Sequence, residues 1–438
     1  MLWPLLLFGL IVVGGAGALF ALDGLDAIGD VTGPGDSTAE DATDAEETTG
    51  EVDEIPEDVI RREFVSIDDP VFGEPSGTDG VIFGSVATSQ GLTLVGSAGD
   101  GESVGDQRSI VWTFGNDQFG LVDYEETGPH RMWSIGVIEG ETFLAVGDTQ
   151  GPDGIAWSGD IASNFSEVSN ADFSGAANDR LRTAVADPSR PLTFLVGGSR
   201  TVDNLAVAGL WEVSGETSWD DPEWTVMDLN ADSPGVINDI AANDEFAVAV
   251  GTETVNGQDM AMILIRRDDS WSDLLGALPN TELWSVTISG ERIIAVGNTD
   301  SNTTNPRPIA IVADSAGSVP LSHALPIRSG AGGVETGIAR SVITLADGGV
   351  IAVGDVGRSL EPGKPDAEVD RDGAIWQLLP GEEMSEDVWT TRASPDLIEE
   401  GFVELWTIAE HDNSIYVFGR GETDDGRRPA AGWTLDLE

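Results

Sequence analysis

Apolar residues beyond position 62 follow a repeated pattern of short strands. An apolar segment that ends in a Val-Gly or Phe-Gly pair occurs seven times: Thr93–Gly96, Leu144–Gly147, Phe194–Gly197, Val248–Gly251, Ile294–Gly297, Ile351–Gly354 and Tyr416–Gly419. Successive glycines lie 51, 50, 54, 46, 57 and 65 residues apart. A period near 50 residues built from short strands is typical of propeller blades and not of helical solenoids.

Each copy has similar surroundings. About ten residues upstream, a strand opens with a small polar residue: Ser85, Ser134, Thr183, Asp239, Ser285, Ser341 or Thr407. Downstream lies a strand that often ends in Trp, such as Ala374–Trp376, and then a polar turn and a strand that begins with an aromatic residue, such as Trp389. Four strands per unit, bounded by turn residues, predict an all-β, seven-bladed β-propeller with four antiparallel strands per blade over residues 62–438.

The last copy ends after its third strand. Residues 63–67, Glu-Phe-Val-Ser-Ile, resemble the fourth strand Trp224–Met227 of an earlier copy. We therefore predict that this N-terminal strand completes the last blade by pairing near Gly432–Thr434, which closes the ring and leaves no unpaired inner edge.

Two segments precede the propeller. Residues 1–22 are apolar and uncharged, which predicts a transmembrane anchor or a signal segment. The first basic residue is Arg61, and a signal peptide needs a positive start, so the anchor is the favoured interpretation. Residues 23–61 form an acidic linker that is predicted to be disordered, with 14 acidic and no basic residues up to position 60. The expected location is therefore outside the cell on a membrane anchor, or secreted after cleavage.

The charge restricts the partners. The chain has 78 acidic and 21 basic residues, a net charge of −57, and its single lysine is Lys364. Such a field repels phosphate backbones and anionic lipid, so we expect no nucleic-acid partner and no membrane contact except through residues 2–22. The composition also suits a protein adapted to a salty medium. The absence of cysteine excludes disulfides and thiolate chemistry.

The order of Ala-Val-Gly strand, loop, Ile-Trp strand, polar turn and aromatic strand resembles the sialidase-type propellers with Asp-box repeats. The box, Ser-x-Asp-x-Gly-x-x-Trp, is degenerate here, as in residues 114–119 and 267–271. The resemblance implies a glycosidase with an arginine triad, an Asp acid and a Tyr–Glu pair. The tyrosines are Tyr124 and Tyr416, and Tyr416 lies within an apolar strand. We predict no catalytic residues, and a degenerate glycoside hydrolase remains the alternative.

Metal and cofactor signals are weak. His130, His323 and His411 are isolated from one another, without metal-ligand spacing, and are expected in exposed loops. No metal site and no cofactor are predicted, although the oxygen-rich loop Asp148–Gly154 leaves calcium open.

One set of residues suggests binding. The residues that precede the small polar positions should face the axis of the ring at one mouth: Gly84, Trp133, Arg182, Asn238, Trp284, Arg340 and Trp406. Trp, Arg and Asn are typical of recognition sites, so the six non-glycine residues are predicted to bind ligand, with packing between blades as the alternative. The three tryptophans come from different blades, and we expect no continuous stack. The expected function is a monomeric binding or scaffold propeller, displayed at the cell surface or exported, for a neutral carbohydrate, peptide or protein.

Overall fold

The computed structural model describes most of the chain from Phe64 to Leu437. The residues it leaves undescribed within that range are 68, 74–78, 100–106, 116–117, 123–129, 139–141, 150–152, 161–164, 169–178, 216–218, 220–221, 230–232, 268–269, 275–277, 302, 304, 318, 328–334, 360–368, 382–383, 393–396, 398–401 and 424–425. The predicted anchor (1–22) and linker (23–61) lie outside the described residues. Within the described residues, no helix is long and apolar enough to span a membrane.

The described strands form seven antiparallel sheets arranged as the blades of a propeller. Strands are numbered β1–β29 in chain order. The innermost strands are β2 (Asp79–Thr88), β6 (His130–Ile138), β10 (Arg180–Ala186), β14 (Gly235–Ala242), β19 (Thr281–Ser289), β23 (Glu335–Thr344) and β27 (Val403–His411). The second strands are β3 (Gly91–Gly99), β7 (Thr142–Thr149), β11 (Thr193–Val202), β15 (Ala247–Val255), β20 (Arg292–Thr299), β24 (Val350–Ser359) and β28 (Ser414–Gly421). The third strands are β4 (Gln107–Gly115), β8 (Gly154–Asp160), β12 (Leu205–Ser214), β16 (Gln258–Arg267), β21 (Arg307–Asp314), β25 (Val369–Leu379) and β29 (Ala430–Asp436). The outer strands of blades one to six are β5 (Gln118–Leu121), β9 (Ser166–Glu167), β13 (Glu223–Val226), β17 (Ser270–Asp273), β22 (Leu321–Ala324) and β26 (Val388–Arg392).

The seventh blade takes its outer strand from the other end of the propeller. Strand β1 (Val65–Ser66) pairs antiparallel with β29, with Val65 opposite Thr434 and Ser66 opposite Trp433. The sheet order is β1-β29-β28-β27, so the predicted closure is confirmed. Phe64, just before β1, is buried among residues of blades six and seven.

The fourth blade departs from the predicted four strands. A short strand, β18 (Leu278–Pro279), pairs with Met260 and Ala261 of β16, beside the usual outer strand. It belongs to the connection to blade five and covers a part of β16 that β17 leaves unpaired. The edge of a third strand is thus protected by the chain that leaves the blade.

The hydrophobic core lies between the faces of adjacent blades. Strand β3 is buried along its whole length. The tryptophans that end the third-strand motifs, among them Trp112 and Trp376, are fully buried. One cluster joins Ile294 and Val312 of blade five to Trp376 of blade six. Because both faces of a blade are covered, the second strands read as almost continuous apolar runs.

Candidate functional site

Each innermost strand contains a β-bulge at the same place. The pairing of the inner strand with the second strand skips one residue in every blade: Phe83, Trp133, Arg182, Asn238, Trp284, Arg340 and Trp406. A bulge bends its strand and re-aims a side chain. Six of the skipped residues are the predicted ligand-binding residues, and the structure therefore gives them one shared geometry.

In the first blade, the residue at the bulge lies one position before the residue expected from the sequence. Ile82 pairs with Gly96 and Gly84 with Val95, so the skipped residue is Phe83 and not the expected Gly84. Gly84 takes the place that a small polar residue takes in the other blades, and a Cβ there would lie 2.9 Å from Cα of Ser134 in the next blade. Close contact between blades therefore selects glycine at this point.

A glycine of the second strand, in most blades that of the Val-Gly motif, lies opposite the bulge. A Cβ added to the glycine opposite the bulge would lie 1.8–2.0 Å from a carbonyl oxygen of the inner strand in all seven blades. In the third blade this glycine is Gly198, which pairs with Leu181, and not Gly197 of the predicted motif. The glycine lets the inner strand come close to the second strand, and this approach is part of the geometry that turns the skipped residue toward the axis.

The skipped residues surround one mouth of an axial cavity. The cavity has a volume of about 650 Å³ and is lined by the innermost strands of all seven blades. Its lining includes all six predicted residues, together with Phe83. Their role in binding a ligand stays a prediction, but the structure brings them together.

Four aromatic rings from four blades form one contiguous cluster at this mouth. Phe83 lies 4.3 Å from Trp133 and 5.0 Å from Trp406, measured between ring centroids. Trp406 lies 6.4 Å from Trp133 and 6.5 Å from Trp284. The tryptophans are not stacked, since Trp406 lies tilted against Trp133 and edge-on to Trp284, but their edges meet in one cluster that the sequence did not predict. The tryptophans belong to blades that are not all adjacent, but the seven blades converge on a narrow axis and bring their rings together. Phe83 of blade one lies between the tryptophans of blades seven and two.

Arg340 is held by carboxylates. Its Nη2 lies 2.8 Å from Oδ2 of Asp355 and 3.8 Å from Oε1 of Glu404, and its guanidinium carbon lies 4.0 Å from the ring centroid of Trp406. Glu404 also binds Arg371 and Arg420, at 3.2 and 2.8 Å. Burial alone would raise the pKa of Glu404, but the charges of Arg340, Arg420 and Arg371 hold that pKa below its usual range.

These contacts bear on the resemblance to sialidase-type propellers. Arg340, Arg371 and Arg420 converge on one place, as an arginine triad would. Their common partner, however, is Glu404 of the same chain. The three guanidinium groups are therefore already occupied by a protein carboxylate.

Arg182 differs from Arg340 in having no acidic partner. Its guanidinium carbon lies 4.1 Å from the ring centroid of Trp133. Among the described residues it makes no hydrogen bond or ion pair, although it lines the cavity. Burial lowers the pKa of Arg182, against the opposing charge of Asp148. Arg182 is half-buried, and a guanidinium that lines a cavity without an ion-pair partner among the described residues is a candidate for ligand binding.

The remaining predicted residues have protein partners. Nε1 of Trp284 donates to Oδ1 of Asn298 at 2.9 Å, and Nδ2 of Asn238 donates to the carbonyl of Leu283 in the next blade at 2.7 Å. Both hydrogen bonds fix the orientation of a cavity-lining side chain. Packing and ligand contact are therefore not exclusive at these positions.

The small polar residues of the repeat, which sequence reasoning used only as markers, join neighbouring blades inside the cavity. Thr183 and Ser285 both donate to the Asp239 carboxylate, at 3.1 and 2.7 Å, and Ser85 and Thr407 share a hydrogen bond of 2.7 Å. Burial raises the pKa of Asp239, although these hydrogen bonds act in the opposite direction. The recurrence of a small polar residue at one place in each blade was the sequence signal for this role.

Glu282 is a half-buried titratable group near the site, although it is not among the residues that line the cavity. It lies two residues before Trp284 on β19. Burial and the negative charge of Asp259 raise the pKa of Glu282 to about 6, against the opposing charges of Arg340 and Arg182. A carboxyl with this pKa can hold or release a proton near neutral pH.

The described residues contain no group of three or more His, Asp or Glu side chains arranged to hold a metal ion. His130 is 6% exposed on β6, so its expected place in an exposed loop was wrong. It packs edge-on against Trp157, with centroids 5.7 Å apart. Residues 150–152 of the possible calcium loop lie outside the described residues, and the loop stays a prediction.

No protein-family model and no curated protein matches the sequence. The chain is similar to the polysaccharide lyase Uly1, with a TM-score of 0.52, 8% identity, and coverage of 81% of this chain and 89% of that chain. It is also similar to the β-propeller domain of the Trilobed protease from Pyrococcus furiosus, with a TM-score of 0.46, 11% identity, and coverage of 81% and 93%. The neighbours are β-propeller proteins, and at these identities the likeness concerns the fold alone.

Proposed function

We propose that the protein is a binding propeller whose axial mouth takes up a ring-bearing ligand, which is a neutral carbohydrate, a peptide or part of a protein. The observation that carries the proposal is the aromatic cluster of Phe83, Trp133, Trp284 and Trp406 at the mouth of the 650 Å³ cavity. Aromatic rings give a large apolar contact area with fixed geometry, and pockets of this size take small ligands. The anchor over residues 1–22 and the spacer over 23–61 would display this mouth outside the cell.

A screen of the full chain against carbohydrate and peptide arrays tests the proposal. We expect a hit that Trp406→Leu weakens at least tenfold, because leucine keeps the site apolar but removes the ring. Trp271→Leu is the matched control, since Trp271 lies on the outer strand β17. Equal loss in both variants, or a hit indifferent to both, contradicts binding at the mouth.

Glycosidic bond cleavage is a second candidate, favoured by Glu282. Its carboxyl, with a pKa of about 6 and a second carboxylate, Asp259, near enough to raise that pKa, has the properties of a general acid. The resemblance to sialidase-type propellers points the same way, although the occupied arginines disfavour an acidic sugar. Release of nitrophenol from a panel of nitrophenyl glycosides by the full chain, lost in Glu282→Gln, supports it. No release across the panel rejects it.

A further inference from the structure

We propose that the ligand of the axial mouth is zwitterionic, of the α-amino acid class, with its carboxylate on Arg182 and its ammonium on Asp148. The inference rests on the part of the proposed function that places a ligand at the axial mouth, and it replaces the three candidate ligands named there by one chemical class. It comes from comparing two sectors of the mouth, because the bulge residues of blades five to seven have hydrogen-bond partners, whereas Trp133 and Arg182 of blades two and three have none among the described residues.

The sector of blades five to seven is internally paired. The residue that follows the bulge-facing glycine accepts a hydrogen bond from the bulge residue of its own blade. In blade five Asn298 accepts from Trp284, and in blade six Asp355 accepts from Arg340 at 3.0 Å. In blade seven Arg420 instead donates to Glu404 at 2.8 Å. These groups have no further need of a ligand.

Blade two has the same positions without the hydrogen bond. Asp148 follows Gly147 as Asn298 follows Gly297, and Trp133 is the bulge residue. Yet the indole nitrogen of Trp133 and Oδ1 of Asp148 are both buried without a hydrogen-bond partner in the described structure. Asp148 is 6% exposed. Trp133 carries the guanidinium of Arg182 from blade three over its ring instead.

This sector therefore holds a guanidinium and a carboxylate that do not neutralise each other directly. No ion pair within 4.0 Å joins Arg182 to Asp148 among the described contacts. Asp148 takes the position from which Asn298 and Asp355 reach the bulge residues of their own blades, so it lies beside Trp133, next to the residues that line the cavity and not among them. Buried polar groups are normally paired, and unpaired ones of opposite sign match a ligand that brings both a donor and an acceptor.

Net charge selects between possible ligands. A simple anion would suit Arg182 but must approach a chain with a net charge of −57. A zwitterion carries no net charge, so it avoids this repulsion while it satisfies both groups. The aromatic cluster then contacts its side chain, and an aromatic amino acid is the natural probe.

Isothermal titration of the full chain with three related compounds tests the assignment. L-Phenylalanine has both charges, N-acetyl-L-phenylalanine has only the carboxylate, and L-phenylalaninamide has only the ammonium. We expect the zwitterion to bind at least tenfold more tightly than either blocked compound. Arg182→Gln should abolish its advantage over the amide, and Asp148→Asn its advantage over the acetylated compound.

Controls make each failure distinct. Arg267→Gln removes an exposed arginine of the same charge and should change none of the three affinities. Each variant must keep its melting temperature. Equal binding of all three compounds, sensitive to Trp406→Leu, overturns the zwitterion assignment but leaves the proposed function intact. If none of the three compounds binds but the array screen gives a ligand of another class, the zwitterion assignment is overturned and the proposed function again stays intact. If the array screen gives no ligand either, both the assignment and the proposed function are contradicted.

Discussion

A Cβ placed on Gly297 would lie 1.9 Å from the carbonyl oxygen of Glu282. The two residues belong to neighbouring strands of blade five, beside the bulge that aims Trp284 at the axis. Since no side chain fits at that distance, the glycine and the bulge depend on each other. The same relationship recurs in every blade and links the repeat in the sequence to the composition of the mouth.

Gly297→Ala should therefore destabilise the protein by about 3 kcal/mol, because the strands must separate to admit the methyl group. The free energy of urea unfolding measures the effect. Gly120→Ala is the control, since a Cβ there meets its nearest atom at 3.7 Å. Equal stability of the two variants would contradict the steric account of the motif.

The two mouth arginines should respond in opposite ways to substitution by methionine. Arg340→Met takes from the buried Asp355 one of its two arginine partners and leaves Arg371 at 2.8 Å, so it should cost about 1–3 kcal/mol. Arg182→Met removes a half-buried charge that has no acidic partner within 4 Å among the described residues, and it should leave stability unchanged or raise it by about 1 kcal/mol. Thermal unfolding of both variants decides. A large loss in Arg182→Met would show that Arg182 is structural.

The acidity of Glu282 predicts a pH dependence. Its pKa rises from 4.5 to about 6 on folding, so the folded chain binds more protons between these values and stability falls as pH rises through that window. Between pH 4 and pH 7 the parent should therefore lose up to about 2 kcal/mol of unfolding free energy relative to the Glu282→Gln variant, which cannot titrate at this position. Urea unfolding across this range measures it, with exposed Glu245→Gln as the control for one lost charge. A difference independent of pH would contradict the shift.

Ring closure predicts a contrast between adjacent residues. Phe64 is 2% exposed and packs between the sixth and seventh blades, whereas Val65 is 58% exposed. Phe64→Ala should cost about 3–5 kcal/mol and Val65→Ala under about 1 kcal/mol. Melting temperatures of the two variants test this. Comparable small effects would mean that the N-terminal strand does not hold the ring closed.

The charge of −57 predicts stabilisation by salt. The screening length falls from about 30 Å at 0.01 M to about 3 Å at 1 M, so repulsion between acidic surface groups weakens. The melting temperature of the full chain should rise clearly over this range. A flat or falling curve would show that local contacts already compensate the acidic groups.

The sequence was sufficient to predict the number of blades and their closure, because apolar periodicity and strand count are local properties. The bulge positions of blades two to seven were also found, since each of these six residues precedes a small polar residue. Phe83 was missed because Gly84 precedes Ser85, and only strand register shows which residue is skipped. Likewise, the difference between paired Arg340 and unpaired Arg182 depends on groups brought together across blades, which spacing along the chain does not encode.

In each innermost strand, the residues that pair with the second strand differ from the residue that the bulge presents to the mouth. A skipped residue takes no part in the cross-strand register, so its identity is released from the rules that govern a β-ladder. The observed set, which runs from Phe and Trp to Arg and Asn, already shows this freedom. Each blade thus contributes one variable residue to the mouth. Natural selection, or a laboratory library, can change these residues and so the ligand that the mouth recognises, while the blades keep their structure.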